Sequence, residues 1–325
     1  MESAAGATEM TTPRLAPIPP QAHQGEQDKT LEAKMGRQKR FIRALWGEAF
    51  CTLLFFTPIF SVIANSAVQD FSADVKVLMV ALAAGFQAIG NIFAFSSVSG
   101  AHFNPAISFA LWLTGKLSNR KVGGYIAVQL LGSLLAMCLV AGMFQDEKET
   151  MYIAIAVLPA KNAKLEKVFA TEFFLTFILT YVAFTVVFED AEQRKKETMS
   201  FKSMSESVGL TLYASTPQSK TGFAPFSIGF TIFSLSLIGG TSGGAFNPAR
   251  LFGPAIFSGK WDYLWLYWLA ELLGSSAAGL MVQYTHRYGL HQSDPNDQDE
   301  LSAKEQIEKE QKNPLTLAIS GPAAD

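Results

Sequence analysis

Long apolar runs separated by short polar breaks set the architecture of this chain before any single residue is considered. Six apolar segments lie near 42–64, 75–98, 122–144, 168–188, 223–242 and 261–285. Each is about 20 residues or longer, which as a helix covers a hydrocarbon core of roughly 30 Å. The pattern predicts six membrane-spanning helices. Two further apolar segments, 104–113 and 247–257, are about half that length. As helices each would measure roughly 15 Å, too short to span. Two such halves meeting end to end would complete a seventh span.

The polar remainder divides the chain. Residues 1–33 and 289–325 read as polar tails, the first disordered, on either side of a membrane domain over 34–288. Residues 189–222 read as a long polar loop inside it. The first 40 residues are polar and contain prolines, so no cleavable signal peptide is expected.

The two halves of the membrane domain correspond. "RALWGEAFCTLLFFTPIF" (43–60) matches "KVFATEFFLTFILTYVAF" (167–184), aligning Glu48 with Glu172. "SGAHFNPAISFA" (99–110) matches "GGAFNPARLFGP" (243–254). The repeats run over 42–144 and 168–285, each with three spans and one half-helix. Three is odd, so the second copy enters the membrane inverted. Positive residues set the orientation. Lys34, Arg37, Lys39, Arg40 and Arg43 precede the first span, and Lys116, Arg120 and Lys121 precede the third. Arg194, Lys195, Lys196 and Lys202 lie in the 189–222 loop, and His286 and Arg287 follow the sixth span. These places share one side, which the positive-inside rule makes the cytosol, with both termini. The opposite loop, 145–167, carries Lys148, Lys161, Lys164 and Lys167, so the bias is partial.

Composition narrows the function classes. Of 325 residues, 49% are hydrophobic and 17% charged, against about a quarter charged in soluble domains. The formal net charge of -2 gives no signal for nucleic acid. Cys51 and Cys138 both sit in apolar runs, too few for a disulfide scaffold and without zinc spacing. No metalloprotease, P-loop or dinucleotide motif stands out, so no enzyme, cofactor or metal is expected.

Asn-Pro-Ala occurs twice, as Asn104, Pro105, Ala106 and as Asn247, Pro248, Ala249. Each copy follows a glycine-containing approach and opens an apolar half-helix. Asn is a favoured N-cap, and Pro is favoured at the first helical position. If the side-chain oxygen caps its own helix, the amide NH2 is left as a pure donor. Inverted half-helices would bring Asn104 and Asn247 together at the midplane, with both positive dipole ends.

This constellation resembles the major intrinsic protein family, the aquaporins and aquaglyceroporins, over roughly 40–288. The resemblance implies an all-α membrane protein of six transmembrane helices and two re-entrant half-helices in an inverted 3+3 repeat. It also implies a pore in each monomer and a homotetramer in the lipid of a plasma or intracellular membrane. The channel would pass water and exclude protons and ions. A water held by Asn104 and Asn247 points its hydrogens outward along the file and breaks the proton wire. The carbonyls of Gly100, Ala101 and His102 and of Gly243, Gly244 and Ala245 would form the acceptor ladder, as in the family. Registration against each asparagine puts the constriction on Ala84, Leu235, Gly244 and Arg250. Strict water channels usually place an aromatic and a histidine at the first two. Their absence implies a wider, apolar ring that also passes small neutral solutes such as glycerol, urea or ammonia. A one-residue slip would substitute Gly85 or Phe86, and Ser234 or Ser236. Leu251 stands where aquaglyceroporins usually carry Asp, whereas Ala255, Tyr267 and Trp268 look like the water-channel pattern.

Glu48 and Glu172 are expected to accept hydrogen bonds from the non-helical loops approaching each half-helix, rather than relay protons. Gln129 is expected to satisfy loop backbone, also a family feature. His102 reads as a neutral packing residue or a pH sensor, and Cys51 and Cys138 as small core residues. Ser200, Ser203, Ser205 and Ser207 lie beside Arg194, Lys195 and Lys196, which makes 189–222 a candidate phosphorylation-dependent gate for a kinase. The competing functions are an aquaglyceroporin-like facilitator, a coupled transporter with intramembrane carboxylates, and a junctional structural protein.

Overall fold

The computed structural model describes the backbone of residues 22–208 and 223–285, with side chains over 36–188 and 223–285. It divides into Met1–Ile42 and Arg43–Asp325. Among the described residues the regular structure is entirely helical: α1 (Ala22–Val68), α2 (Ala73–Phe95), α3 (Pro105–Leu113), α4 (Asn119–Met143), α5 (Lys148–Ile155), α6 (Leu165–Val208), α7 (Ala224–Ile238), α8 (Pro248–Ser258) and α9 (Leu264–Thr285), with one 3-10 turn at Gly239–Thr241.

Among the described residues five stretches are long and apolar enough to cross a membrane: Gly36–Val68, Ala73–Phe95, Asn119–Met143, Leu165–Phe188 and Ala224–Thr241. The expected sixth, α9, has 22 residues, about 33 Å at 1.5 Å per residue. Its shortfall is compositional, because Glu271, Gln283 and several Trp and Tyr dilute its aliphatic content. The outward surface is apolar. Trp46, Phe50 and Leu54 form an exposed stripe on α1, and Leu131, Leu135 and Leu139 form one on α4. The interior instead holds Glu48, Thr52, Asn91, Gln129, Glu172, Thr176 and Glu271, all buried. Apolar outside and polar inside is the arrangement that lipid solvation favours.

Within the second copy α6 packs against α9, and across the two copies α2 packs against its counterpart α7. Glycines permit the closest approaches. A Cβ on Gly132 of α4 would lie 2.7 Å from the Ala49 carbonyl of α1. A Cβ on Gly274 of α9 would collide with the Phe173 carbonyl of α6. Ala49 follows Glu48 and Phe173 follows Glu172, so the two contacts are equivalent under the repeat.

Three boundaries differ from the sequence reading. Helix α1 starts at Ala22, inside the segment read as a disordered tail. Helix α6 continues to Val208 through half of the segment read as a loop. Residues 189–208 contain no Pro or Gly, and their Glu and Lys residues are good helix formers, so local propensity carries the helix on. The 145–167 loop contains the short helix α5. The remaining tail and loop residues, 1–21, 209–222 and 286–325, lie outside the described residues.

Candidate functional site: the paired asparagine loops

Both half-helices start as their sequences dictate. Asn104 and Asn247 have extended backbones, and each side-chain oxygen accepts from the second residue on: Ala106 N at 2.9 Å and Ala249 N at 3.0 Å. Pro105 and Pro248 occupy the first helical positions, where a missing N–H costs nothing. With nine and eleven residues, α3 and α8 reach only about 14 and 16 Å, less than the hydrocarbon core.

The amide nitrogens do more than point outward, as the sequence reading had them. Asn104 Nδ2 donates to the Phe246 carbonyl and Asn247 Nδ2 donates to the Phe103 carbonyl, both at 2.9 Å. One hydrogen of each amide therefore straps the opposing loop. The second has no protein acceptor among the described residues and remains available as a donor.

The approaching loops share one backbone geometry. Gly100, Ala101 and Phe103 have positive φ, as do Gly243, Gly244 and Phe246 at the matching positions. Ala101 and both phenylalanines are strained there, since L residues with a Cβ rarely adopt it. The N–H groups turn away from the axis onto buried carboxylates. Glu48 accepts from His102 N (2.9 Å), Phe103 N (2.8 Å) and the Ser99 hydroxyl (2.7 Å). Glu172 accepts from Ala245 N (3.1 Å) and Phe246 N (2.7 Å). Tyr125 OH and Tyr267 OH donate to the Ser99 and Ser242 carbonyls, five residues before each asparagine. Among the described residues no donor reaches the carbonyls of Gly100, Ala101, Gly243, Gly244 or Ala245. Sequence reasoning missed this serine–tyrosine pairing. The recurrence of Ser five residues before each Asn was the available signal.

Gln129 differs from its expected role. Its Nε2 donates to Glu48 Oε2 (2.8 Å) and Ser108 Oγ (3.0 Å), not to loop backbone. The amide reaches the loop through the carboxylate that already gathers the loop N–H groups. The His102 ring lies 3.1 Å from the Ser108 hydroxyl and edge-on to Tyr125 at 5.1 Å, a packed environment.

The proposed constriction residues occupy distinct elements. Ala84 on α2 and Leu235 on α7 are buried. Phe86, one candidate of a slipped register, is exposed, and Gly85 is pressed against the Gly229 carbonyl of α7. Arg250, on the first turn of α8, donates from Nη1 to the Ile155 carbonyl at the end of α5 (2.9 Å). Its guanidinium stands 5.1 Å over the Phe60 ring, a cation–π distance. Neither Phe60 nor Ile155 was identifiable from sequence, because both reach Arg250 only through tertiary packing. Cys51 is buried, but Cys138 on α4 is exposed, contrary to its core assignment. An exposed thiol on an outward helix face is ordinary in a protein solvated by lipid. The side chains of Ser200, Ser203, Ser205 and Ser207 lie outside the described residues.

Comparison with known proteins gives the family. The family model described as major intrinsic protein matches residues 35–219 and 204–282. The chain is 39% identical over 273 residues to Aquaporin-B of Dictyostelium discoideum, covering 81% of this chain and 91% of that protein. It is 36% identical over 248 residues to an aquaporin of Encephalitozoon hellem, covering 76% and 95%. Aquaporin-8 of Mus musculus is 30% identical over 249 residues, covering 74% and 84%. Among solved structures, the aquaglyceroporin from Plasmodium falciparum superposes with a TM-score of 0.62 at 23% identity, covering 76% of this chain and 97% of that one, which speaks for the fold. With two capped half-helices strapped together inside an all-helical membrane domain, the chain belongs to the major intrinsic protein family and is a multi-pass membrane channel of the aquaporin kind, not an enzyme.

Proposed function

We propose that the conduction path runs past the spare amide hydrogens of Asn104 and Asn247 and is a single file for water. The observation that carries this reading is the reciprocal strap, Asn104 to Phe246 and Asn247 to Phe103. It holds both donors at one level and leaves each with one hydrogen for a permeating molecule. A water accepting from both has its own hydrogens directed up and down the file, so it cannot pass a proton along. The positive ends of α3 and α8 meet at the same level and repel hydronium and metal cations. The carbonyls of Gly100, Ala101, His102, Gly243, Gly244 and Ala245 accept from the file on either side.

Arg250 is the cationic donor of the constriction, with Ala84, Leu235 and Gly244 as its other walls. Three of its four sides carry no side-chain donor, which suits carbon-bearing neutral solutes beside water. The channel acts as a homotetramer with cytosolic termini, in a plasma or intracellular membrane. The serine-bearing stretch 189–222, whose first part continues α6, is a candidate site of phosphorylation-dependent gating, with a passive connector as the alternative.

Stopped-flow measurements on proteoliposomes test this reading. Water, glycerol and urea fluxes should be passive and unsaturated, with no accompanying proton current. Proton current comparable to the water flux would overturn the mechanism, and flux driven by a proton gradient would favour a coupled transporter.

A further inference from the structure

The inverted repeat matches Gln129 with Glu271. Tyr125 and Tyr267 make the same bond to Ser99 and Ser242. Four residues later, one turn along α4 and α9, come Gln129 and Glu271. Three residues further, Gly132 and Gly274 make the same backbone contacts behind Glu48 and Glu172. Gln129 therefore supports Glu48 from the position that Glu271 holds relative to Glu172.

The chemistry of the two copies differs. In the first, an amide N–H donates to the carboxylate. In the second, a carboxyl stands where the amide should be. Glu271 is fully buried, and neither of its oxygens has a hydrogen-bond partner among the described residues. The groups acting on it are the Glu172 carboxylate on α6 and the backbone N–H of Asn247, which faces it without closing a bond of ordinary geometry. Tyr267 on the same helix lies within its field, and Arg250 on α8 acts on both Glu172 and Tyr267. Ser108, which gives Gln129 a second partner, is replaced at the matching position by Leu251. Two ionised carboxylates with no donor between them are untenable inside a membrane domain. A protonated glutamic acid, by contrast, has the shape of glutamine and presents an O–H where glutamine presents an N–H.

We propose that Glu271 is a positioning residue held as the neutral acid, whose O–H donates to Glu172 and whose other oxygen faces the Asn247 N–H. It thereby fixes the second asparagine loop as Gln129 fixes the first. The proton stays on Glu271 in the folded protein, and its loss would leave adjacent negative charges directly behind Asn247.

The test uses the full-length protein in lipid vesicles and in mixed detergent, with Glu271→Gln and Glu271→Leu. Infrared spectra at neutral pH should show the carbonyl stretch of a protonated carboxyl in the wild type, and that band should be missing in E271Q. Because the folded wild type keeps a proton that the unfolded chain releases, its folded-to-unfolded ratio should fall about tenfold per pH unit relative to E271Q between about pH 6 and 8. E271Q should retain wild-type water flux, whereas E271L, which lacks a donor, should lose it. An unchanged carboxyl band in E271Q, parallel pH profiles, or failure of E271Q to fold would each overturn the proposal. The spectroscopic and unfolding arms do not depend on which solute the channel carries.

Discussion

The Asn104 amide donates to the Phe246 carbonyl, 142 residues further along the chain, at 2.9 Å. With its mate from Asn247 to Phe103, this bond makes each half-helix a structural condition for the other. Asn104→Asp keeps the cap on Ala106 but removes both amide hydrogens and sets a carboxylate against the Phe246 carbonyl. We expect a loss of about 1–3 kcal/mol in stability, the cost of a buried acceptor left without its donor. The cation barrier should weaken as well, because a negative charge offsets the dipole ends. Decay of a pH gradient across proteoliposomes should be faster than in the wild type, and Asn247→Asp should behave alike.

The two carboxylates are supported by different chemistry. Glu48 gathers two backbone N–H groups, the Ser99 hydroxyl and the Gln129 amide. The bonds to Glu172 include two backbone N–H groups, with Glu271 in place of an amide side chain among the described residues. Hydrogen bonds to a charged group contribute about 1.5–3 kcal/mol each. With the Glu271 O–H donating to Glu172 as proposed above, each carboxylate holds one further side-chain donor, so Glu48→Ala and Glu172→Ala should destabilise the protein to a similar extent. Reversible unfolding in mixed detergent measures the difference, and a loss for Glu48→Ala larger by one such bond or more would contradict it.

Solute range should follow the constriction. Replacing Ala84 by Phe and Leu235 by His together adds bulk and a polar wall around Arg250. Glycerol and urea flux should fall by about tenfold or more, since one methylene group of misfit already discriminates by that factor. Water flux should change far less. Equal losses for water and glycerol would place the constriction elsewhere.

Thiol chemistry should separate the two cysteines. Cys138 is exposed and Cys51 fully buried. Because the thiolate is the reacting form, a small maleimide applied to the folded protein in detergent at mildly alkaline pH should label Cys138 and leave Cys51 unmodified, as mass spectrometry of the labelled peptides would show. Labelling should leave water flux unchanged, because Cys138 is exposed on α4 whereas Asn104, Asn247, Ala84 and Leu235 are all buried. Flux lost on labelling and preserved in Cys138→Ser would show that α4 borders the path.

The apolar runs, the doubled Asn-Pro-Ala and the pairing of Glu48 with Glu172 were all written locally. Span length, capping by Asn before Pro, and inversion of a three-span repeat each follow from a few neighbouring residues. Polar segments were less legible. Residues 22–33 and 189–208 lack a hydrophobic period, so only helix propensity marked them, and propensity is a weak signal.

Tertiary structure alone decided the rest. Gln129 was legible as support, but its partners, Glu48 and Ser108, lie 81 and 21 residues away. Arg250 was legible as a costly charge, but the Ile155 carbonyl and Phe60 ring that receive it come from helices distant in sequence. The asparagine straps could not be foreseen, since an amide that caps its own helix shows no sign of what its second group will meet. Glu271 shows the boundary most sharply. In sequence it is one glutamate in an apolar helix, while in the fold it is the counterpart of Gln129. Local interactions fix which helices form and where they start, because they depend on neighbours within a turn or two. Which polar group faces which across the membrane interior depends on packing between helices, where each buried donor or acceptor must find a partner from another part of the chain.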